Sequence, residues 1–220
     1  GNIAVSSQVS SAKLHDFWRS SACYRVRIVL NLKGVAWQPF PINLVSGEQA
    51  IAEYRALNPQ GLIPTLEIDG HVLTQSLAIC EYLDEVHPAP ALLPADPLER
   101  AQVRAAAYVI ACDVHPVQNL KILNRLRALG HDEDAVNQWA RDTIEEGLAA
   151  FEALFPAHKG AFCFGDRPSL ADICLIPQLA NARRFGVELT SERILAIEAA
   201  CLALEAFVAR PAVVKGLAVP

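Results

Sequence analysis

The residues best placed to do chemistry lie in Trp18-Arg19-Ser20-Ser21-Ala22-Cys23-Tyr24-Arg25-Val26-Arg27-Ile28, where a short apolar strand meets two hydroxyls and then a helical pattern. The first N–H groups of a helix have no partner within it and stand at the positive end of its dipole. An anionic atom placed there gains hydrogen bonds and field together. A thiolate is such an atom: a free thiol has a pKa of about 8.5, and each unit by which a site lowers it is worth about 1.4 kcal/mol to the anion. O–H groups donated by Ser20 and Ser21 add to that stabilisation. Either serine also suits an ordinary N-cap, and the segment alone does not choose between the two uses.

Two further features suit an extended, anionic ligand. Ile63-Pro64 stands immediately before a strand, where a central-strand proline is disfavoured. A cis bond there would expose the backbone N–H and C=O of Ile63 for pairing with a peptide as another strand would pair; a trans turn proline is the alternative. Gln75-Ser76 opens the next helix, so a hydroxyl, an amide and unpaired N–H groups converge where a carboxylate would be held, although capping alone also explains Ser76.

The elements that position these groups follow from the pattern. Leu14 to Trp18 reads as a strand, Ala22 to Lys33 as a helix closed by Gly34, Trp37 to Leu44 as a strand and Glu48 to Leu57 as a helix. Pro64 to Ile68 and His71 to Thr74 form a hairpin about Asp69-Gly70, and Ser76 opens a helix to Glu85. The order βαβαββα describes a small sheet covered by helices, in a domain placed at residues 13–86. The stretch 87–97 carries four prolines and reads as a linker. Residues 98–220 read as an all-helical domain, giving an α/β plus all-α chain.

Composition excludes several classes. A net charge of −5 with no Lys/Arg cluster argues against nucleic acid as a partner. The apolar stretch from Ile194 to Val208 is broken by Glu198 and Glu205, so no membrane span is expected. Six scattered cysteines in a chain of 220 residues read as free thiols of a reducing, cytoplasmic compartment. Cys112 and His115 have a C-x-x-H spacing without a second close pair, so no metal site is expected. Gly1 to Ala12 lacks a basic start and an apolar core, does not read as a signal peptide and is expected to be loosely ordered. The chain starts at Gly1 and holds no methionine, which points to processing or a remnant of expression.

With these residues in view, the chain resembles the glutathione transferases, and Arg19 to Ile28 resembles their zeta class, which includes maleylacetoacetate and maleylpyruvate isomerases. The likeness extends from about Lys13 to Phe207. It runs through Asn58-Pro59, Ile63-Pro64-Thr65-Leu66, Gln75-Ser76-Leu77-Ala78-Ile79, Leu92-Leu93-Pro94, Pro116-Val117-Gln118-Asn119-Leu120, Gly165-Asp166, Leu170-Ala171-Asp172 and Asn181-Ala182-Arg183-Arg184-Phe185. It implies a thioredoxin-like N-terminal domain, a helical C-terminal domain and a homodimer. It also implies glutathione as cofactor, with its γ-glutamyl carboxylate on Ser76, its cysteinyl backbone on Ile63 and its sulfur facing Ser20. The glutathione contacts it implies are Ser20, Ser21, Ala22, Cys23, Tyr24, Arg25, Gln49, Ile63, Gln75, Ser76, His115, Asn119, Leu120 and Lys121. Ser20 and Ser21 are the catalytic candidates. Many zeta enzymes carry cysteine directly after the two serines; here that place is Ala22, and Cys23 falls about 100° further round the helix.

The implied reaction is cis–trans isomerisation of a maleyl-keto acid in aromatic catabolism. Addition of a thiolate to a double bond conjugated with a ketone leaves a single bond that turns freely, and elimination returns the nucleophile. Both candidate substrates are dianions, which calls for fixed cations with a planar fork, and Arg19 and Arg184 are the candidates, with Lys121 a weaker third. His115 is read as a ligand contact in the first long helix of the second half, with Asn119 one turn on along the same face. Ser169 and Asp172 have the spacing of a capping box, so Asp172 is structural. A general transferase or dehalogenase acting on small electrophiles and a non-enzymatic glutathione-binding protein are the alternatives.

Overall fold

The alternation in β1, Ala12–Asp16, turns Ala12 and Leu14 into the core of the computed structural model, which describes residues 12–154 and 159–209. Ala12, assigned from sequence to the loose N-terminal stretch, is fully buried in this strand; the expectations for residues 1–11 lie outside the described residues. Next comes α1, Ser21–Leu32, whose apolar face of Val26, Ile28, Val29 and Leu30 is buried. β2, Trp37–Pro41, is shorter than the pattern suggested. The run expected as one helix from Glu48 is a 3₁₀ turn, Glu48–Ala50, and then α2, Ala52–Leu57. Ile51 separates them in an extended conformation, so the periodicity is kept while the helical ladder is interrupted.

β3, Thr65–Ile68, and β4, His71–Thr74, are joined by Asp69 and Gly70, both at positive φ as a two-residue hairpin turn requires. α3, Ser76–Val86, follows. The sheet order is β2-β1-β3-β4, with β1 parallel to β2 and antiparallel to β3. Register then decides where the loops meet. His15 pairs with Thr65, and Thr65 with Thr74, so the end of β1, the start of β3 and the end of β4 lie at one edge of the sheet. The segments leading into α1, β3 and α3 all start from that edge.

The described residues divide into two compact units, one up to Leu83 that also takes in Val208 and Ala209, the other Asp84–Phe207. In the second, the proline-rich stretch expected as a linker buries Leu92 and Leu93. The Leu92 N–H donates to Asp84, and its carbonyl accepts from the Leu170 N–H. α4, Pro97–Tyr108, starts with Pro97 in its first turn and Asp96 capping it. The chain then makes a π-helical turn, Val109–Val114, and a 3₁₀ turn, His115–Val117, before α5, Leu120–Ala128. α6 is Glu133–Leu154, α7 Leu170–Arg184, α8 Glu192–Leu202 and α9 Glu205–Val208. α7 is buried along nearly all of its length, as the central helix of such a unit must be. Its start is the capping box expected from Ser169 and Asp172: the carboxylate accepts the Ser169 N–H at 2.8 Å and the Cys163 N–H at 2.9 Å. The π-helical turn packs so closely on α6 that a Cβ on Gly147 would fall 2.1 Å from Val114 Cγ2.

Candidate functional site

Ser20 is the N-cap of α1. Its Oγ accepts the Cys23 N–H at 3.1 Å, its own N–H donates to the Phe17 carbonyl at 2.9 Å, and its carbonyl accepts from Tyr24 at 3.0 Å. Capping and chemistry are therefore compatible uses of one hydroxyl. The cap occupies a lone pair and fixes the oxygen, while the O–H proton stays available to a further acceptor. Ser20 is partly exposed and Ser21 is buried, which separates the two candidates: the Ser20 hydroxyl is open to solvent and Ser21 faces the interior.

Cys23, placed from sequence among the ligand contacts, offers nothing to a ligand. Its N–H is held by Ser20, and its fully buried thiol points at the His15 carbonyl, 4.0 Å away. Burial, reinforced by the Asp16 carboxylate, pushes this thiol far above its ordinary range. A cysteine held as the neutral thiol in the core is a packing residue, as the 100° displacement from Ala22 implied. Tyr24 is half-buried and carries the Arg27 guanidinium 5.3 Å over its ring; Arg27 also pairs with Asp16. Arg19 is exposed, with its guanidinium over the rings of Phe17 and Trp18 at 5.4 and 5.1 Å.

At the start of β3 the Ile63-Pro64 bond is cis. The residues before it are fixed by a network the sequence did not disclose. Tyr54 and Asn58 both donate to the Leu62 carbonyl, and both also bond to Thr65 Oγ1, at 2.7 and 3.2 Å. Asn58 belongs to the Asn58-Pro59 pair that carried the family likeness, which is the one signal that pointed to it. Among the described residues nothing bonds to the N–H or C=O of Ile63 itself, so this backbone is ready to pair with an added strand. Gln49, in the preceding 3₁₀ turn, donates weakly to Leu44 and keeps a buried Oε1 without a partner.

The third feature is the start of α3. Gln75 sits at φ 69°, a strained value for a residue with a side chain, and its amide donates to Gln60 at 2.7 Å. The first helical bond runs from the Ile79 N–H to the Gln75 carbonyl, so the N–H groups of Ser76, Leu77 and Ala78 precede it. Ser76 is buried and its Oγ accepts a hydrogen bond from Arg25 Nη1 at 3.1 Å. Ser20, Ile63, Gln75, Ser76 and Arg25 thus belong to one unit and one edge of its sheet. Together they offer an O–H at a helix start, an unpaired strand backbone and a cationic helix start. That set suits a short extended peptide bearing a thiol and a carboxylate.

The remaining candidates stand on the second unit. His115 lies where the 3₁₀ turn begins, not inside a long helix, because the helical ladder shifts register at the π-helical turn before it. The face-sharing expected of His115 and Asn119 therefore does not follow. Asn119 is the N-cap of α5, its Oδ1 accepting the Ile122 N–H at 3.2 Å, and Leu120 and Lys121 are exposed in the first turn. Gln118 is buried and accepts from Asn181 at 2.7 Å, tying the segment to α7. At the end of α7 the two arginines have different tasks: Arg183 forks both terminal nitrogens onto Glu198, while Arg184 is exposed.

The chain matches two family models, the glutathione S-transferase N-terminal domain over residues 14–91 and the C-terminal domain over residues 101–210. It is 51% identical over 198 residues to a maleylacetoacetate isomerase of Rhizobium meliloti (strain 1021), covering 88% of this chain and 92% of that one. It is similar to the holo structure of a maleylpyruvate isomerase of the zeta class, with 47% identity, a TM-score of 0.87 and coverage of 89% and 94%. It also resembles a maleylacetoacetate isomerase of Anaeromyxobacter dehalogenans 2CP-1 with dicarboxyethyl glutathione and citrate in its active site. There the identity is 41%, the TM-score 0.81 and the coverage 91% and 90%.

Proposed function

The chain belongs to the glutathione S-transferase family, and we propose that it catalyses the glutathione-dependent isomerisation of a maleyl-keto acid, maleylacetoacetate or maleylpyruvate, to its fumaryl isomer. The observation that carries this reading is the placement of three complementary features at one sheet edge. Neighbouring strands are about 4.8 Å apart, so the ends of β1 and β4, on either side of β3, stand about 10 Å apart. From the sulfur on its central residue to its γ-glutamyl α-carboxylate, extended glutathione runs through eight bonds and spans about 10 Å. Glutathione therefore fits with its sulfur toward Ser20, its central backbone on Ile63 and its γ-glutamyl carboxylate at Ser76. The unpaired Ile63 backbone and the unpartnered nitrogens of the buried Arg25 beside Ser76 fit such a ligand.

When bound, glutathione supplies the thiolate that adds to and leaves the conjugated double bond. Ser20 stabilises negative charge on that sulfur with its O–H, held in place by its own cap, and the start of α1 adds its field. The Cys23 thiol, a buried neutral group, takes no part. Arg19 and Arg184, exposed cations with planar forks, are assigned to the carboxylates of the substrate. Among the described residues no helix is long and apolar enough to cross a membrane, and none of the six cysteines forms a disulfide. We place the protein in the cytoplasm as a homodimer; sedimentation showing only a 23.9 kDa species at micromolar concentration would contradict the dimer.

The test is to follow the absorbance of maleylacetoacetate and maleylpyruvate with and without glutathione. Conversion of at least one only when glutathione is present is expected. No conversion of either, alongside conjugation of neutral electrophiles, would turn the reading to a general transferase.

A further inference from the structure

Arg25 stands among the glutathione contacts without a defined role, and its situation is unusual. It is 3% exposed, its Nη1 donates to Ser76 Oγ, and its Nε and Nη2 are buried without any hydrogen-bond partner among the described residues. The neighbouring Arg27 has Asp16 as its counter-ion; among the described residues no carboxylate pairs with Arg25. A permanently charged guanidinium removed from water and left unpaired is strongly unfavourable, so such a group is retained where an anion completes it.

We propose that Arg25 is a positioning residue that makes the start of α3 specific for a carboxylate, the γ-glutamyl α-carboxylate of glutathione; this rests on the glutathione reading above. Ser76 has one proton and two lone pairs, whereas a guanidinium only donates. With Arg25 occupying a lone pair of Oγ at 3.1 Å, the hydroxyl proton must turn to another acceptor, and Ser76 becomes an obligate donor at the helix start. A neutral ligand group such as an amide NH₂ would bring a donor to donors. A carboxylate accepts from the hydroxyl and the helical N–H groups, and its charge answers the unpaired cation.

The test compares glutathione with 4-aminobutyryl-cysteinyl-glycine, which lacks only the α-carboxylate, by calorimetric Kd on the full chain. Wild type should prefer glutathione by about 100-fold, and Arg25→Met should cut that preference about 10- to 100-fold, the range for a hydrogen bond to a charged group. Arg25→Lys should restore part of it. The KM for glutathione should rise while kcat at saturating glutathione stays within about 3-fold, because Arg25 acts through Ser76 and not on the sulfur. Equal loss of affinity for both ligands, or a parallel fall in kcat, would mean a structural role only and overturn the proposal. Should the Arg25 variants fail to fold, Ser76→Ala, with the guanidinium in place, must also shrink the preference; an unchanged ratio overturns the proposal. Wild type that binds neither ligand would instead refute the glutathione reading.

Discussion

Replacing Ser20 separates a structural use of its hydroxyl from a chemical one. The Ser20 Oγ accepts the Cys23 N–H at 3.1 Å, so Ser20→Ala removes a cap and costs about 1 kcal/mol of stability, whereas Ser20→Gly costs only a few tenths. Both variants remove the O–H assigned to the glutathione sulfur. Loss of one preorganised donor to a developing or resident anion lowers kcat by about 10²- to 10³-fold, or ~2.7–4 kcal/mol. The two variants should therefore differ in melting temperature and agree in kcat. Affinity for glutathione should change little, since the backbone of Ile63 and the start of α3 are untouched, and the pKa of the bound thiol, read from thiolate absorbance, should rise by about 1–2 units. A kcat within about 3-fold of wild type, or a kcat that follows stability from Gly to Ala, would refute the role of Ser20. Ser21→Ala should leave the thiolate signal in place, because Ser21 is buried behind the cap.

Arg184→Met keeps the bulk of an exposed side chain and removes its fork; the specificity constant for the dicarboxylic substrate should fall by ~2–4 kcal/mol and that for a neutral electrophile much less. Equal losses would reject carboxylate recognition there. Burial raises the pKa of Cys23, Cys163 and Cys201 in the folded chain above an ordinary value of about 9. The unfolded chain then loses protons first, so stability is intact below about pH 9 and falls above it. The slope approaches about 1.4 kcal/mol per pH unit for each thiol, and urea titrations from pH 8 to 10.5 that show no such fall would contradict it. Gly147→Ala would favour an isolated helix by about 1 kcal/mol, yet here the new methyl meets Val114 at 2.1 Å, so thermal unfolding should show a net loss of about 1–3 kcal/mol. A stabilised variant would mean the π-helical turn yields freely.

Sequence disclosed most where the chemistry is local. The start of α1, the Asp69-Gly70 hairpin and the Ser169–Asp172 box each rest on a few adjacent residues, and each is present. Breaks in the helical ladder were hidden because hydrophobic periodicity survives a change of register. Ile51 continues the pattern of its neighbours while sitting in extended conformation, and Val109–Val114 reads as more of α4 although it is π-helical. Burial was the other hidden quantity. Ser20 and Ser21 are indistinguishable as letters, and only the packing of α1 turns one outward and the other in. Arg25 is named from the resemblance only as a ligand contact, and its burial with two unpartnered nitrogens emerges only from the fold. The hold of Tyr54 and Asn58 on Leu62 depends on a chain reversal that no spacing announces.

The central claim is that glutathione is borrowed and returned, with the protein fixing its sulfur at Ser20 and its substrate by cations. The most direct test is conversion of maleylacetoacetate or maleylpyruvate with glutathione at about one hundredth of the substrate concentration, followed by absorbance and a final count of free thiol. The account predicts complete conversion to the fumaryl isomer with all of the glutathione recovered as free thiol. Conversion that stops after one equivalent of glutathione, with the thiol lost to a stable conjugate, would contradict it.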